Sequence, residues 1–205
     1  MAILNPEQLQ QISQAIAAVE MKTDAELVAV LAKQSDGYQY IPPLWAALLA
    51  LMTPLVLLFS PLRLGAGEIY MIQLIVFLLA ALLLRIPAVA IRLIPKPVRY
   101  WRAANMARRQ FLENNLHHTR GDTGVLIFVS EAERYVEIIA DRGINQQVAH
   151  EKWQQIVNEL TSAIKRGDTL NGFLSCINAC GALLQEHVPL TVDKDELPNH
   201  LVVLE

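Results

Sequence analysis

Two long, charge-free apolar runs in the first half of this chain constrain its fold more than any other feature. The first extends from Ile41 to Phe59 and the second from Ile69 to Leu84. Each approaches the roughly 20 residues that a helix rising 1.5 Å per residue needs to cross a bilayer core. Ser60, Pro61, Gly65 and Gly67 lie between them, and Pro and Gly punctuate turns, so the pair reads as a helical hairpin. Trp45 suits the headgroup boundary. Pro54 removes a backbone donor mid-run, which membrane helices tolerate when neighbours or Thr53 satisfy the freed groups. Arg85 and Arg92 can snorkel to the interface, which leaves room for the second helix to extend beyond Leu84. The competing reading is a hairpin buried in a soluble core. A chain of 205 residues has too little protein to surround two such helices, so lipid is the expected solvent.

The remainder resembles an ordinary globular domain. The chain is 53% hydrophobic and 18% charged, against about 45–50% and about 25% in typical soluble domains, and the excess is concentrated between Ile41 and Ile94. A formal net charge of −3 gives no basis for a nucleic-acid partner, and two cysteines exclude a disulfide-stapled scaffold. Disordered chains, basic nucleic-acid binders and purely soluble enzymes are thereby set aside.

Topology is read from the cations. Arg85, Arg92, Lys96, Arg99, Arg102, Arg108 and Arg109 follow the second run with no Asp or Glu among them. The positive-inside rule places this flank in the cytoplasm. The hairpin tip carries only Arg63 and Glu68, and the first 20 residues lack a basic start and contain Glu7 and Glu20, so no signal peptide is expected. The expectation is an integral protein of a bacterial inner membrane with both termini and the soluble domain in the cytoplasm. Arg85, Arg92, Lys96, Arg99 and Arg102 form a candidate lipid-surface patch, worth about 1 kcal/mol per cation near anionic headgroups. The plainer reading is that they only set topology.

Four segments follow: 1–40, the N-terminal part of an α/β domain; 41–95, the transmembrane hairpin; 96–190, the main part of that domain; and 191–205, an acidic tail. In the first, Asn5 and Pro6 open a helix over 5–21 with Leu9, Ile12, Ile16 and Val19 on one face. Glu26–Ala32 reads as a buried strand closed by Ser35, Asp36 and Gly37. In the third, a helix over 98–116 is expected to bury Ala104, Ala107, Phe111 and Leu112. Gly124–Val129 is apolar on both faces, as a central strand covered by helices is. Arg134–Ala140 returns as a second strand. Helices over 145–165 and from Asp168 or Thr169 to Glu186 follow, and Leu201–Leu204 is a candidate edge strand. The first segment cannot bury its own apolar faces and the third has an unusually small sheet. Joined, they make one α/β sandwich interrupted by the hairpin, with the strand near Val28 beside the strand near Ile127.

Gly124–Ser130, Glu133–Ile144, Trp153 and the Ile164–Asp168 junction resemble the TPM domain, over roughly residues 8–36 and 98–190 and best over 123–185. The resemblance implies an α/β fold in which helices sandwich a small mixed sheet. It also implies acid phosphatase activity or divalent-cation binding, as reported for some members, at acidic residues beside the sheet. Asp141 matches the family's residue at the end of the second hairpin strand.

Asp36, Asp122, Glu131, Glu133 and Asp141 fall at predicted strand ends, where ligand clefts form in open α/β sheets. Asp36 and Asp141 are the candidate metal ligands, with Ca²⁺ or Mg²⁺ as the candidate cation because both take oxygen donors. Acidic turns that simply face water are the competing reading. Adjacent His117 and His118 point about 100° apart on a helix and rarely share one ion. Cys176 and Cys180, four apart on an apolar face, read as buried thiols. Two functions remain open: a noncatalytic binding or assembly module that takes lipid, a protein partner or a second copy of itself, and a divalent-cation-assisted phosphatase.

Overall fold

The computed structural model describes residues 4–62, 64–191 and 201–204. The elements in chain order are α1 (Pro6–Glu20), β1 (Glu26–Ala32), α2 (Ile41–Leu58), α3 (Ala66–Leu83), α4 (Pro87–Leu93), α5 (Lys96–Glu113), a 3₁₀ turn (Leu116–His118), β2 (Gly124–Ser130), β3 (Tyr135–Ala140), α6 (Arg142–Asn145), α7 (His150–Lys165), α8 (Thr169–His187) and β4 (Leu201–Leu204). They group into two units. One comprises Met1–Ser35 with Tyr100–Glu205, and the other Asp36–Arg99.

The first unit is built on a four-stranded mixed sheet of order β3-β2-β1-β4. β1 pairs in parallel with β2, Ala29 opposite Ile127 and Val28 opposite Leu126. This is the juxtaposition expected from the sequence, and it closes one fold from chain segments almost 100 residues apart. β4 pairs in parallel on the other side of β1, and β2 and β3 form an antiparallel hairpin. Every residue of β1 and β2 is buried because both faces are covered. Leu27, Ala29, Leu31, Val125, Ile127 and Val129 pack against Ile12, Ile16, Trp153, Leu160, Phe173 and Ile177 of α1, α7 and α8. Val28, Val30, Leu126 and Phe128 pack against Ala103, Ala107 and Phe111 of α5. Successive side chains of a strand point to opposite faces, so these two sets alternate strictly along each strand.

Local chemistry explains the boundaries. Asn5 caps α1, its Oδ1 accepting from the Gln8 amide at 2.8 Å while Gln8 Oε1 accepts from the Asn5 amide at 2.9 Å, a reciprocal capping box. α5 buries Ala103, Ala107, Gln110 and Phe111. Ala107 and Phe111 are buried as expected, whereas Ala103 takes the place of Ala104, which is only half-buried, and Leu112 is exposed. The helix expected over 145–165 starts only at His150, and Asn145 instead ends a separate short helix, α6. Gly143 has no room for a side chain, since a Cβ there would meet the Gly121 carbonyl oxygen at 2.2 Å. The β3 strand begins at Tyr135 and not Arg134, because Arg134 takes the left-handed conformation, φ 54°, that ends the hairpin turn.

The second unit is a pair of 18-residue helices long and apolar enough to cross a membrane, packed on each other, followed by α4. Ala46 and Ala50 are the buried positions in the body of α2, and α3 buries none of its residues. Small residues one turn apart let helix backbones approach closely. The Thr53 hydroxyl donates to the Leu49 carbonyl at 3.1 Å, one residue away from the acceptor that Pro54 leaves vacant. Gly65 is the N-cap of α3, and Glu68 in the first turn reaches back to it, Oε2 accepting from the Gly65 amide at 2.8 Å. α3 does not run on past Leu84: Arg85 and Ile86 form a turn, and Pro87 opens α4. Tyr38, Ile41 and Ile94 form a small apolar cluster of their own. Arg63 of the tip and the acidic run of the tail, Asp193 to Glu196, lie outside the described residues.

Candidate functional site

Parallel strands β1, β2 and β4 all finish at one end of the sheet, and β3, running the other way, starts there. That end is held by a buried carboxylate. Glu133, 1% exposed, sits in the β2–β3 turn. It accepts from the Ser35 amide at 3.2 Å on each oxygen and from the Ser130 hydroxyl. The Ser35 hydroxyl in turn donates to Ser130 Oγ at 2.8 Å. The Glu131 and Ala132 amides donate to the carbonyls of Ala32 and Lys33. Glu133 is thus consumed in tying the chain beyond β1 to the hairpin, a structural task that its turn position alone does not reveal.

Beside this clamp lies a crevice of about 410 Å³, lined by Ser130, Glu131, Arg134, Tyr135, Thr161 and Lys165. Burial pushes the Glu131 carboxyl up from its ordinary value. Around the β3 edge, Tyr135 donates to Glu137 Oε2 at 2.9 Å. Burial pushes up the Glu137 carboxyl, against smaller lowering effects of Tyr135 and Arg108, and raises the Tyr135 phenol, reinforced by the Glu137 charge.

Asp141 belongs to the opposite end. Ala140 pairs with Val125, at the start of β2, whereas Ala32, which precedes the segment leading to Asp36, pairs with Ser130 at its finish. The register thus separates the two strand ends from which Asp36 and Asp141 follow. The Asp141 carboxylate caps α6, accepting from the Arg142 amide at 2.7 Å. Asp36 Oδ1 accepts from the Tyr38 amide at 3.2 Å, and Asp122 is in the left-handed conformation, φ 55°. Among the described residues no group of three or more His, Cys, Asp or Glu side chains is arranged to hold a metal ion. The His117 and His118 ring centroids lie 4.0 Å apart with the rings tilted by 46°. Cys176 and Cys180 are free and buried, and their mutual hydrogen bond together with burial pushes the Cys180 thiol up.

Of the cationic flank, Arg85, Arg92 and Lys96 are exposed, and Arg99 and Arg102 half-buried. The Arg102 guanidinium lies 5.0 Å from the centre of the Trp101 ring, a cation–π contact. Trp101 is itself 58% exposed. Further along α5, Arg109 pairs with Glu113 at 2.7 Å, one turn on, where the acid-free run ends.

No curated protein matches the chain. A solved structure with similar architecture is the NMR structure of the BA42 protein from the psychrophilic bacterium Bizionia argentinensis. It superposes with a TM-score of 0.60 at 20% identity, over 98% of this chain and 94% of that one, a likeness of fold. The family profile described as the TPM domain matches residues 89–183, just under half of the chain. This match spans α5, β2, β3, α6, α7 and most of α8, and leaves α1 and β1 to be joined to it by the sheet. The family read from the motifs around Gly124–Ile144 is therefore the one the chain matches, the TPM domain, over residues 89–183.

Proposed function

We propose that this chain is a membrane-anchored binding module. In this reading α2 and α3 cross the bilayer as a hairpin, and the TPM-like α/β unit works at the cytoplasmic leaflet without catalysing a reaction. The observation that carries it is α3. Eighteen residues long, with Glu68 in its first turn as its one charge, it buries none of its residues. An apolar helix of this kind in water would expose a patch far larger than soluble monomers tolerate, so lipid is its solvent. The cationic flank from Arg85 to Arg109 supports a cytoplasmic orientation and an anionic lipid surface as partner. A protein partner or a second copy bound there would serve the same module.

Extraction decides the first part. The protein should remain in the membrane fraction in alkaline carbonate and be released by detergent, and release by carbonate alone would refute the hairpin. A reporter fused after Glu205 that reads out only in the cytosol should be active. Phosphatase assays of the purified protein, with and without Mg²⁺ or Ca²⁺, test the absence of catalysis. Turnover that is lost in Asp141→Ala with folding intact would establish the metal-assisted enzyme in place of the binding module.

A further inference from the structure

The crevice beside the Glu133 clamp has a position in the chain that its lining alone does not disclose. Ser35, the last residue of the α/β unit before the hairpin segment, is bonded to Glu133 and Ser130. Tyr100, the first residue after that segment, packs edge-on against Tyr135 with ring centroids 5.3 Å apart. Both points at which the chain departs and returns are therefore fastened to the same turn, Ser130–Tyr135, that forms one wall of the crevice. Thr161 and Lys165 from the last turns of α7 form the other wall.

The chemistry of the lining is cationic with one adjustable carboxyl. Among the described residues neither Arg134 nor Lys165 is held in an ion pair. The Ser130 hydroxyl is already given to Glu133 and the Tyr135 hydroxyl to Glu137. That leaves the guanidinium, the ammonium and the Thr161 hydroxyl as donors. A guanidinium fork and a lysine point charge together are the usual means of holding a phosphate.

We propose that this crevice binds a phosphate group, presented either by a lipid headgroup or by a soluble phosphate compound, with Arg134 and Lys165 supplying the charge and Thr161 a hydrogen bond. The proposal rests on the hairpin reading for the source of the phosphate and on the crevice alone for the site. The turn that walls the crevice is the one that holds Ser35 and Tyr100, the residues that flank the hairpin segment in the chain, and at a bilayer surface headgroup phosphate is the most abundant anion. Glu131 fits this occupant. Burial pushes its carboxyl up from the ordinary value, which lessens its opposition to an anion.

The test uses the full chain in a neutral detergent, with binding read by native mass spectrometry. The probes are phosphatidic acid, phosphatidylglycerol, phosphatidylcholine, glycerol 3-phosphate and inorganic phosphate. The variant is Arg134→Asn with Lys165→Ala, since Asn tolerates the left-handed backbone at 134 better than Ala does. Loss of two charge-assisted contacts should weaken binding of the anionic probes by about tenfold or more. Lys152→Ala, on the same helix but paired with Glu186 at 3.7 Å, should leave it unchanged, and Glu131→Gln should keep it or tighten it. Preference for the two anionic lipids over glycerol 3-phosphate and inorganic phosphate identifies a headgroup, and equal affinity identifies a soluble compound. If every probe binds the double variant as it binds the parent, the proposal is overturned. Carbonate release of a protein that still binds phosphate through Arg134 and Lys165 would remove the hairpin reading and leave the site standing.

Discussion

β1 and α3 are both apolar segments of one short chain, yet they meet opposite fates. All seven residues of β1 are covered by neighbouring strands and by helices on both faces, whereas α3 has no buried residue along its 18. Composition does not separate them, because both are dominated by Leu, Ile, Val and Ala. What separates them is who satisfies the backbone. A helix closes its own hydrogen bonds and can stand in hydrocarbon alone, whereas a strand leaves them for its neighbours. β1 therefore recruits β2 and β4 from distant parts of the chain, whereas α3 closes its own backbone bonds and packs on α2.

Substitutions in the two regions should expose this contrast most sharply. Phe128→Ala removes a fully buried ring between the sheet and α5 and should cost about 3–5 kcal/mol, lowering the unfolding midpoint of the α/β unit by about 10 °C. Leu78→Ala, on the exposed surface of α3, should change that midpoint by no more than surface substitutions do, under about 0.5 kcal/mol. Thermal unfolding followed by near-UV circular dichroism in detergent distinguishes them, and equal losses would mean that the two regions share one core.

A smaller effect is expected where the chain passes from one region to the other. Glu133→Ala deprives the Ser35 amide and the Ser130 hydroxyl of their buried acceptor, at a cost of about 1–3 kcal/mol. Glu133→Gln, which keeps an acceptor, should recover part of it. Denaturant midpoints at constant slope measure both, and an unaffected Glu133→Ala would show that the clamp is not needed.

The smallest effect lies on β3, the strand left half-covered at the edge of the sheet. Burial raises the Glu137 carboxyl in the folded state, so the folded chain binds this proton more readily than the unfolded one. Stability then falls as pH rises through the raised folded value, and the penalty is absent below the unfolded value near about 4.3. Glu137→Gln should melt about 1–2 °C above the parent at neutral pH, a figure kept small because the group is partly solvated. The gap should close by about pH 4. A gap that persists in acid would assign the gain to packing.

The legible features of the sequence were those decided by neighbours within a turn or two. Asn5 and Pro6 announced α1, continuous apolar runs announced β1 and β2, and freedom from charge announced α2 and α3. The interval between α6 and α7 was missed because residues 145–149 carry no Gly or Pro to mark a break. On α5, Ala107 and Phe111 were read correctly, but Ala104 was taken for Ala103, since the two alanines are indistinguishable until the sheet selects one. At the candidate site the acidic turns were found but not sorted. Glu133 and Asp141 sit in similar turns, yet one is a buried clamp and the other a helix cap.

From the residues alone, then, came the period of each element, the family motifs and the presence of two helices suited to lipid, because these depend on side-chain chemistry and short-range backbone geometry. The tertiary structure alone decided that β4 pairs on the far side of β1, that Ala32 and Ala140 fall at opposite ends of the sheet, and that Arg134 and Lys165 line one crevice. The reason is that strand register and the meeting of distant side chains are set by which backbone groups pair across the fold, and a linear order of residues does not contain that choice.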